Sequence, residues 1–442
     1  MDTKISKINK ALFIAIILTT FGIVVNFNLF SPGFMSNDSI YQYLQARDRI
    51  FSDSHPPIMS ILWSYFFIFP NPISMFLLFQ LTLLWSAIGI SFYLDSKNVV
   101  KRNRIYLIYL LPALPQIASI SGVLWKDVQM AYSLLLAIVL IRYSETKISS
   151  KFKVALNTFI FILLIYAITV RVNAVFAVIP ILYYFLSKNV VNRKKYYLVF
   201  LTVVILLLVN LSINSAISRI YNVQKTNTLN AYFVDDLFQY SMKNRVSLIP
   251  SVPLSVINEC NGEVIANSDK ILKIFCLVNK LNFNISSVPT SNLLSTWSHE
   301  IYSDPFFYIK YRIIVFQNFL SSPLREPYYF WHEKISPNDF GLVFKEKSLT
   351  DTFEKYIYLS VGNFKYLFQP YFWLLALLYL LYKNSGKKHN NYTLEKSILY
   401  SCLLYFASYL PVVAVPDFRY IYWIVVGLTY IIYQNKILRK PL

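Results

Sequence analysis

Apolar runs long enough to cross a bilayer recur along most of the chain, and polar stretches interrupt them at irregular intervals. A membrane-crossing helix needs about twenty apolar residues, and on that ruler about ten spans are predicted. They lie near 11–30, 73–95, 105–122, 129–143, 154–170, 174–187, 196–216, 366–382, 397–411 and 419–434. Residues 58–69 (IMSILWSYFFIF) are also apolar, but they sit between Pro57 and the Pro70-Asn71-Pro72 break. They are too short to span and predict an interfacial or re-entrant helix. The run Ala11–Phe30 follows Lys4, Lys7 and Lys10 with no small-residue cleavage site after it, so it reads as an uncleaved first helix.

Two polar interruptions carry most of the remaining information. In 31–57 (SPGFMSNDSIYQYLQARDRIFSDSHPP), Pro32-Gly33 turns the chain, and Ser36 or Asn37 opens a helix running to about Phe51. Asp38 falls in its first turn, where unpaired N–H groups favour a carboxylate. Gln42, Gln45 and Arg49 follow at helical spacing on roughly the same face. His55-Pro56-Pro57 then predicts an extended turn. The second interruption, near 217–365, contains Ser303-Asp304-Pro305, a helix start. The helix that follows (FFYIKYRIIVFQNFL) ends at Ser321-Ser322-Pro323 and reads as lying in the membrane interface. The Asn- and Ser-rich stretch 225–300 predicts a small, mostly helical cap. Cys260 and Cys276 fall within it, either as a disulfide or as two free thiols.

Composition fits an all-α polytopic membrane protein, with 56% hydrophobic and only 14% charged residues. The net charge of +20 would suggest nucleic acid in a soluble protein. Here the basic residues gather in short loops: Lys97/Lys101/Arg102/Arg104, Lys147/Lys151/Lys153, Lys188/Arg193/Lys194/Lys195, Lys383/Lys387/Lys388 and Lys436/Arg439/Lys440. With both termini cytoplasmic and 58–69 not crossing, alternation brings every one of them to the cytoplasmic face. The partner expected is therefore the lipid bilayer, not a nucleic acid. Three parts follow: 1–216 as an N-terminal transmembrane core with the first external loop 31–72, 217–365 as an exoplasmic segment, and 366–442 as C-terminal transmembrane helices.

On that topology the candidate chemistry converges on the exoplasmic side. Asp38 is the expected general base, since an oriented carboxylate at a membrane surface can accept a proton from a hydroxyl. Asp127, in the short turn Trp125-Lys126-Asp127, is the second candidate acid. Charges are costly at a turn between apolar helices unless they face water or a substrate. Lys126, Arg171 and Arg419 are candidate phosphate ligands, and Arg47, Arg49, His55 and Asp417 are further candidate substrate-binding residues. Arg219, Lys310, Arg312 and Arg325 are further cations in the same external segments.

The order of these features resembles the GT-C glycosyltransferases: protein mannosyltransferases, aminoarabinose transferases of lipid A and glucosyltransferases that decorate O-antigen. The residues that carry the resemblance are Asp38, His55-Pro56-Pro57, Asp127 within VLWKDVQM, the late DPFFYIKYRIIVF and the terminal PDFRY. The resemblance implies a GT-C-like helical bundle with interfacial helices and an exoplasmic cap. It implies a sugar donor on polyprenyl phosphate, a glycan or lipid acceptor, inversion at the anomeric carbon, and a bacterial inner-membrane location. It implies Asp38 as base and Asp127 as its helper. Where many members have Asp-Glu, this chain has Asp38-Ser39, which argues against a divalent metal site like that of oligosaccharyltransferases, so no cofactor is expected. The competing readings are an O-antigen polymerase or ligase, a transporter or flippase of lipid-linked sugars, and a non-catalytic assembly protein. Only nine glycines and no visible repeat argue against the transporter.

Overall fold

In the computed structural model, described for residues 2–98, 102–187, 195–266, 273–321, 330–332, 334–385, 393–413 and 416–438, the chain is built of helices. Among the described residues, strand-like pairing is confined to single bridges such as Phe34–Val123 and Met35–Ile335. The first half contains α1 (Asp2–Phe30), α2 (Asn37–Asp48), the short α3 (Ile58–Ser64) and α4 (Pro72–Asn98). A 3₁₀ stretch, Arg102–Ala113, then leads to α5 (Pro115–Ser121), α6 (Lys126–Ser144), α7 (Ser150–Val170), α8 (Ala174–Ser187) and α9 (Lys195–Ile220). Next come α10 (Asn230–Asn244), α11 (Leu254–Ala266), α12 (Lys273–Leu281), α13 (Thr290–Ser303) and α14 (Pro305–Leu320). The chain closes with α15 (Ser348–Phe364), α16 (Pro370–Ser385), α17 (Leu394–Ala407) and α18 (Tyr422–Leu438).

Among the described residues, five helices are long and apolar enough to cross a membrane: Lys10–Phe30 of α1, Pro72–Lys97 of α4, α6, α7 and Tyr197–Ile220 of α9. A sixth is counted if α15 and α16, bent by 51° at their junction, form one broken span. The other predicted spans are shorter or interrupted. The span expected at 105–122 is split because Leu114, ahead of Pro115, is extended (ψ 133°), as the residue before proline prefers. Helices α8 and α17 have 14 residues each. That is about 21 Å of helix against about 30 Å of hydrocarbon. Pro180 also removes a hydrogen bond inside α8. Residues 58–68 stay short, as the flanking prolines predict. Of the basic residues that set the expected orientation, Lys101, Lys188, Arg193, Lys194, Lys387, Lys388, Arg439 and Lys440 lie outside the described residues, as does Arg325.

Helix α6 is the hub: nearly all of it is buried, and it packs against α4, α7 and α18. Helix α1 lies on α4 where Gly22 meets Trp85; a Cβ there would stand 2.3 Å from the indole ring. Between α1 and α2 the chain turns through Gly33 at φ +132°, which a side chain rarely adopts. The turn lets Phe34 N–H donate to Gly122 O, while Leu124 N–H donates back to Phe34 O. This double contact clamps the first polar loop to the α5–α6 junction.

Helices α10–α13 enclose a second, separate apolar core that includes Val234, Leu237, Phe238, Ile257 and Leu277. Cys260 and Cys276, left open by the sequence, are joined as a disulfide. This segment is fixed to α14 by a buried Asp236–Arg312 ion pair at 2.6 Å. Trp297 Nε1 donates to the same Asp236 (2.8 Å), and Tyr311 donates to Asp235 (3.0 Å). Asp304 caps α14 by accepting from Phe307 N–H (3.0 Å), as the Ser-Asp-Pro start predicts.

Replacing Cys260 and Cys276 by serine opens a link across a sequence separation of 16. Closing a loop of that size contributes about 3 kcal/mol. The expected outcome is faster trypsin cleavage within 234–297 while the α4–α6–α18 bundle keeps its protection. Unchanged cleavage would show that the disulfide does not hold this core together.

Candidate functional site

The candidate residues come from widely separated segments and meet at one end of the bundle. Helix α2 opens at Ser36, but that hydroxyl does not cap the backbone as expected; it accepts from Trp125 Nε1 at 2.7 Å. Ser39, one turn on, donates to Leu124 O at 2.9 Å. The start of α2 is thereby pinned to the residues just before α6, and Asp38 in its first turn is brought next to Lys126 and Asp127.

Arg419 reaches Asp38 from the far end of the chain, with Nη1–Oδ2 at 2.8 Å. Asp417 caps the 3₁₀ turn Phe418–Ile421 by accepting from Arg419 N–H (3.1 Å), and its Oδ2 lies 2.9 Å from Arg419 Nε. The Arg419 guanidinium also lies over the rings of Trp125 (4.8 Å) and Tyr420 (5.5 Å). Arg171, at the C-terminal end of α7, stands 3.1 Å from Asp127 and donates to Tyr409 Oη at 3.1 Å. Its guanidinium covers the same Tyr420 ring at 5.2 Å. Tyr420 is thus shared by two guanidiniums, with Tyr409 stacked on it (5.3 Å, 16°) and Phe319 of α14 stacked on Tyr409 (5.9 Å, 29°).

His55 joins the two halves. Lys126 Nζ lies 2.9 Å from His55 Nδ1, and His55 Nε2 lies 3.7 Å from Asp38 Oδ1. When Lys126 is an ammonium it donates to Nδ1, and the ring proton then sits on Nε2, facing the carboxylate. Burial, and then the Lys126 ammonium, push His55 down to about 3 against the pull of Asp38. The 3.7 Å approach is therefore a neutral imidazole turned toward a carboxylate, not an ion pair. The loop carrying His55 is strapped from outside the bundle, because Asp53 accepts from the Thr226 N–H (2.6 Å) and hydroxyl (2.7 Å).

For Asp38, partial burial raises the carboxyl, but Arg419, His55 and Lys126 outweigh it and hold it well below the usual carboxylate range. Asp127 is fully buried, and neither of its oxygens has a well-aligned hydrogen bond; the Arg171 contact is close but skewed. Arg171 and Arg419 thus face Asp38, Asp127 and Asp417, with Lys126 beside them. Asp38 and Asp417 both approach Arg419, and Asp127 approaches Arg171.

Two predicted ligands fall outside this cluster. Arg47 pairs with its neighbour Asp48 at 2.7 Å, and both are exposed. Arg49 is the exposed, left-handed residue (φ 55°) that ends α2. The helix stops at Asp48 and not near Phe51, so these arginines stand about 15 Å along the axis from Asp38. Of the weaker candidates, Arg219 and Lys310 are exposed, and Arg312 is taken by Asp236. Sequence reasoning missed Tyr409, Tyr420, Trp125 as a cation platform, and His332, whose ring lies 5.9 Å from that of Trp125. Trp125 and Tyr420 adjoin the motifs WKD and PDFRY, which is a usable signal; Tyr409 and His332 carried none. No family model, curated protein or solved structure matches the chain.

Two measurements check this electrostatic picture. Arg171→Leu leaves Asp127 as a buried charge without a cation, and the expected loss is about 3–5 kcal/mol, read as a large fall in thermal stability in detergent. A negligible shift would mean that Arg171 does not compensate Asp127. His55 is held below its ordinary value of 6.5, so an unfolded chain takes up a proton that the folded chain refuses. Stability contributed by neutral His55 is therefore lost as pH falls from about 6.5 toward 3, and His55→Gln should flatten that part of the Tm–pH curve. Parallel curves for the two proteins would contradict a buried neutral imidazole.

Proposed function

We propose that this protein is an inverting GT-C-type glycosyltransferase. It moves a sugar from a polyprenyl-phosphate donor to a cell-envelope glycan or lipid, such as O-antigen, on the exoplasmic face of a bacterial inner membrane. Both termini are then cytoplasmic, and α10–α14 form an exoplasmic cap. One observation carries the reading: Asp38, His55, Lys126, Asp127, Arg171, Asp417 and Arg419 form a connected set of acids and cations beside an aromatic platform.

In this reading the donor phosphate lies against Lys126, Arg419 and Arg171. The acceptor hydroxyl attacks the anomeric carbon from the side opposite the phosphate. A new C–O bond forms, the bond to the phosphate oxygen breaks with its electron pair leaving on phosphate, and the hydroxyl proton passes to Asp38. The cations favour the charge that develops on the leaving oxygen. Asp127 holds the acceptor or orients Arg171, and neutral His55 fixes the geometry between Lys126 and Asp38.

The low proton affinity of Asp38 appears at first to oppose the role of base, because a carboxylate paired with Arg419 is a weak one. Asp38 is, however, the more exposed of Arg419's two carboxylate partners, with 34% of its side chain accessible against 5% for Asp417. A phosphate that takes its place on Arg419 removes the interaction that suppresses its basicity. Donor binding and base activation become one event.

Asp38→Asn is therefore expected to reduce transfer from a polyprenyl-phosphate sugar by roughly 100-fold or more in nanodiscs without any gradient. The same variant is expected to bind polyprenyl phosphate more tightly, because Arg419 has one competitor fewer. Full activity in Asp38→Asn would remove this reading and favour the polymerase or ligase alternative. A wild-type protein that moves lipid-linked sugar between leaflets without consuming it would favour the flippase.

A further inference from the structure

The basic side chains of the cluster are held in two different ways. Arg171 has Asp127 at 3.1 Å, and Arg419 has Asp38 at 2.8 Å and Asp417 at 2.9 Å. Lys126 has no carboxylate at ion-pair distance among the described residues; its hydrogen bond is to His55 Nδ1 at 2.9 Å. The charged groups that act on it are Arg171 at the end of α7, Arg419 ahead of α18, Asp127 on α6 itself and Asp38 on α2. Arginine keeps its charge inside a protein, whereas the amine of lysine can give up its proton there. Of the three, only Lys126 can therefore stand as a neutral amine with a lone pair toward the imidazole.

The two oxygens of Asp38 also differ. Oδ2 accepts from Arg419, while Oδ1 has no hydrogen bond among the described residues and faces His55 Nε2 at 3.7 Å. That spacing is too long for a hydrogen bond, and catalytic contacts of this kind tighten once substrate is bound. His55 stands between the carboxylate and the amine with one ring nitrogen toward each. A proton that enters such a ring at Nε2 can be matched by one that leaves at Nδ1.

We propose that His55 and Lys126 form a proton relay behind Asp38, with Lys126 neutral before transfer and an ammonium after it. The inference rests on the reading of Asp38 as the base. Asp38, protonated by the acceptor hydroxyl, gives that proton from Oδ1 to His55 Nε2, and the imidazole gives the proton on Nδ1 to Lys126 Nζ. The carboxylate and the neutral imidazole are regenerated. Lys126 gains its positive charge as the phosphate oxygen takes the electron pair of the broken bond, so the proton lost by the acceptor ends as a cation beside the leaving group.

The test uses the full-length protein in nanodiscs and begins without substrate. Histidine nitrogen chemical shifts, with His55→Gln to assign the signal, report which ring nitrogen carries the proton. His55 is expected to pass from the Nε2–H to the Nδ1–H form between mildly acid and mildly alkaline pH, and Lys126→Met should abolish that change. Lys126→Arg keeps a cation but cannot take up a proton; it is expected to bind polyprenyl phosphate and to transfer sugar about 100-fold more slowly. A tautomer that ignores pH in the wild type, or one that changes equally in Lys126→Met, overturns the relay. Full transfer by Lys126→Arg beside an inactive Asp38→Asn also overturns it and leaves the transferase reading in place. Full transfer by Asp38→Asn instead removes the base on which the relay depends.

Discussion

A guanidinium cannot stay charged among apolar helices without carboxylates or ring faces around it, and Arg419 is where this protein meets that constraint. It is shared by Asp417, two residues before it, and Asp38, 381 residues away in the chain. To satisfy it, the first polar loop must be brought against the start of α18. Trp125, whose ring lies under the guanidinium, must be brought in as well. Trp125 in turn holds Ser36, and Leu124 holds Ser39, so the start of α2 is fixed by the groups that complete the arginine's surroundings. Buried ion pairs contribute little net stability compared with apolar packing, but breaking one is expensive. The pair therefore acts mainly by dictating which segments meet.

A charged cluster does not by itself make a site, and the same molecule supplies the comparison. At the C-terminal end of α6, Arg142 binds Asp95 at 2.7 Å, and Gln434, Tyr433 and Ser91 also approach the Asp95 carboxylate. Tyr430 accepts from Arg142 as well. Asp95 is 2% exposed, and its oxygens are surrounded by donors. That is a closed knot tying α4, α6 and α18 together. The Asp38 cluster differs in both respects. Its outermost acid is partly accessible to solvent, and its innermost acid, Asp127, keeps oxygens without well-aligned donors. A structural knot has no reason to leave such capacity unspent.

Much of this was legible in the sequence because polar residues between apolar runs are costly. That reasoning singled out Asp38, His55, Lys126, Asp127, Arg171, Asp417 and Arg419, and the fold brings these seven together. It failed for Arg47 and Arg49, which lie near Asp38 in sequence but sit at the other end of α2. A left-handed turn at Arg49 ends that helix sooner than the pattern implied. It could not single out Tyr409 or Phe319, because among 35 tyrosines and 35 phenylalanines an aromatic residue carries no signal of its own. The span at 105–122 was overread for a related reason: apolar composition persists through Leu114-Pro115, whereas the hydrogen-bonded helix does not.

The aromatic stack adds a connection that neither motifs nor charges reveal. Asp236 and Arg312 bind α10 to α14, Phe319 of the same α14 lies on Tyr409, Tyr409 accepts from Arg171, and Arg171 holds Asp127. Each step is a packed or hydrogen-bonded contact, so the core around the disulfide and the buried acid of the candidate site share one continuous mechanical path. Such a path transmits nothing unless one of its elements has two discrete arrangements. On α14 the outer residues Phe306 and Ile309 are exposed while Arg312 and Phe319 are buried, and Phe319 also lies 6.4 Å from the ring of Tyr420, over which Arg419 sits. Asp38 is held by Arg419, and Asp127, in the first turn of α6, is linked through Arg171 and Tyr409 to Phe319 of α14.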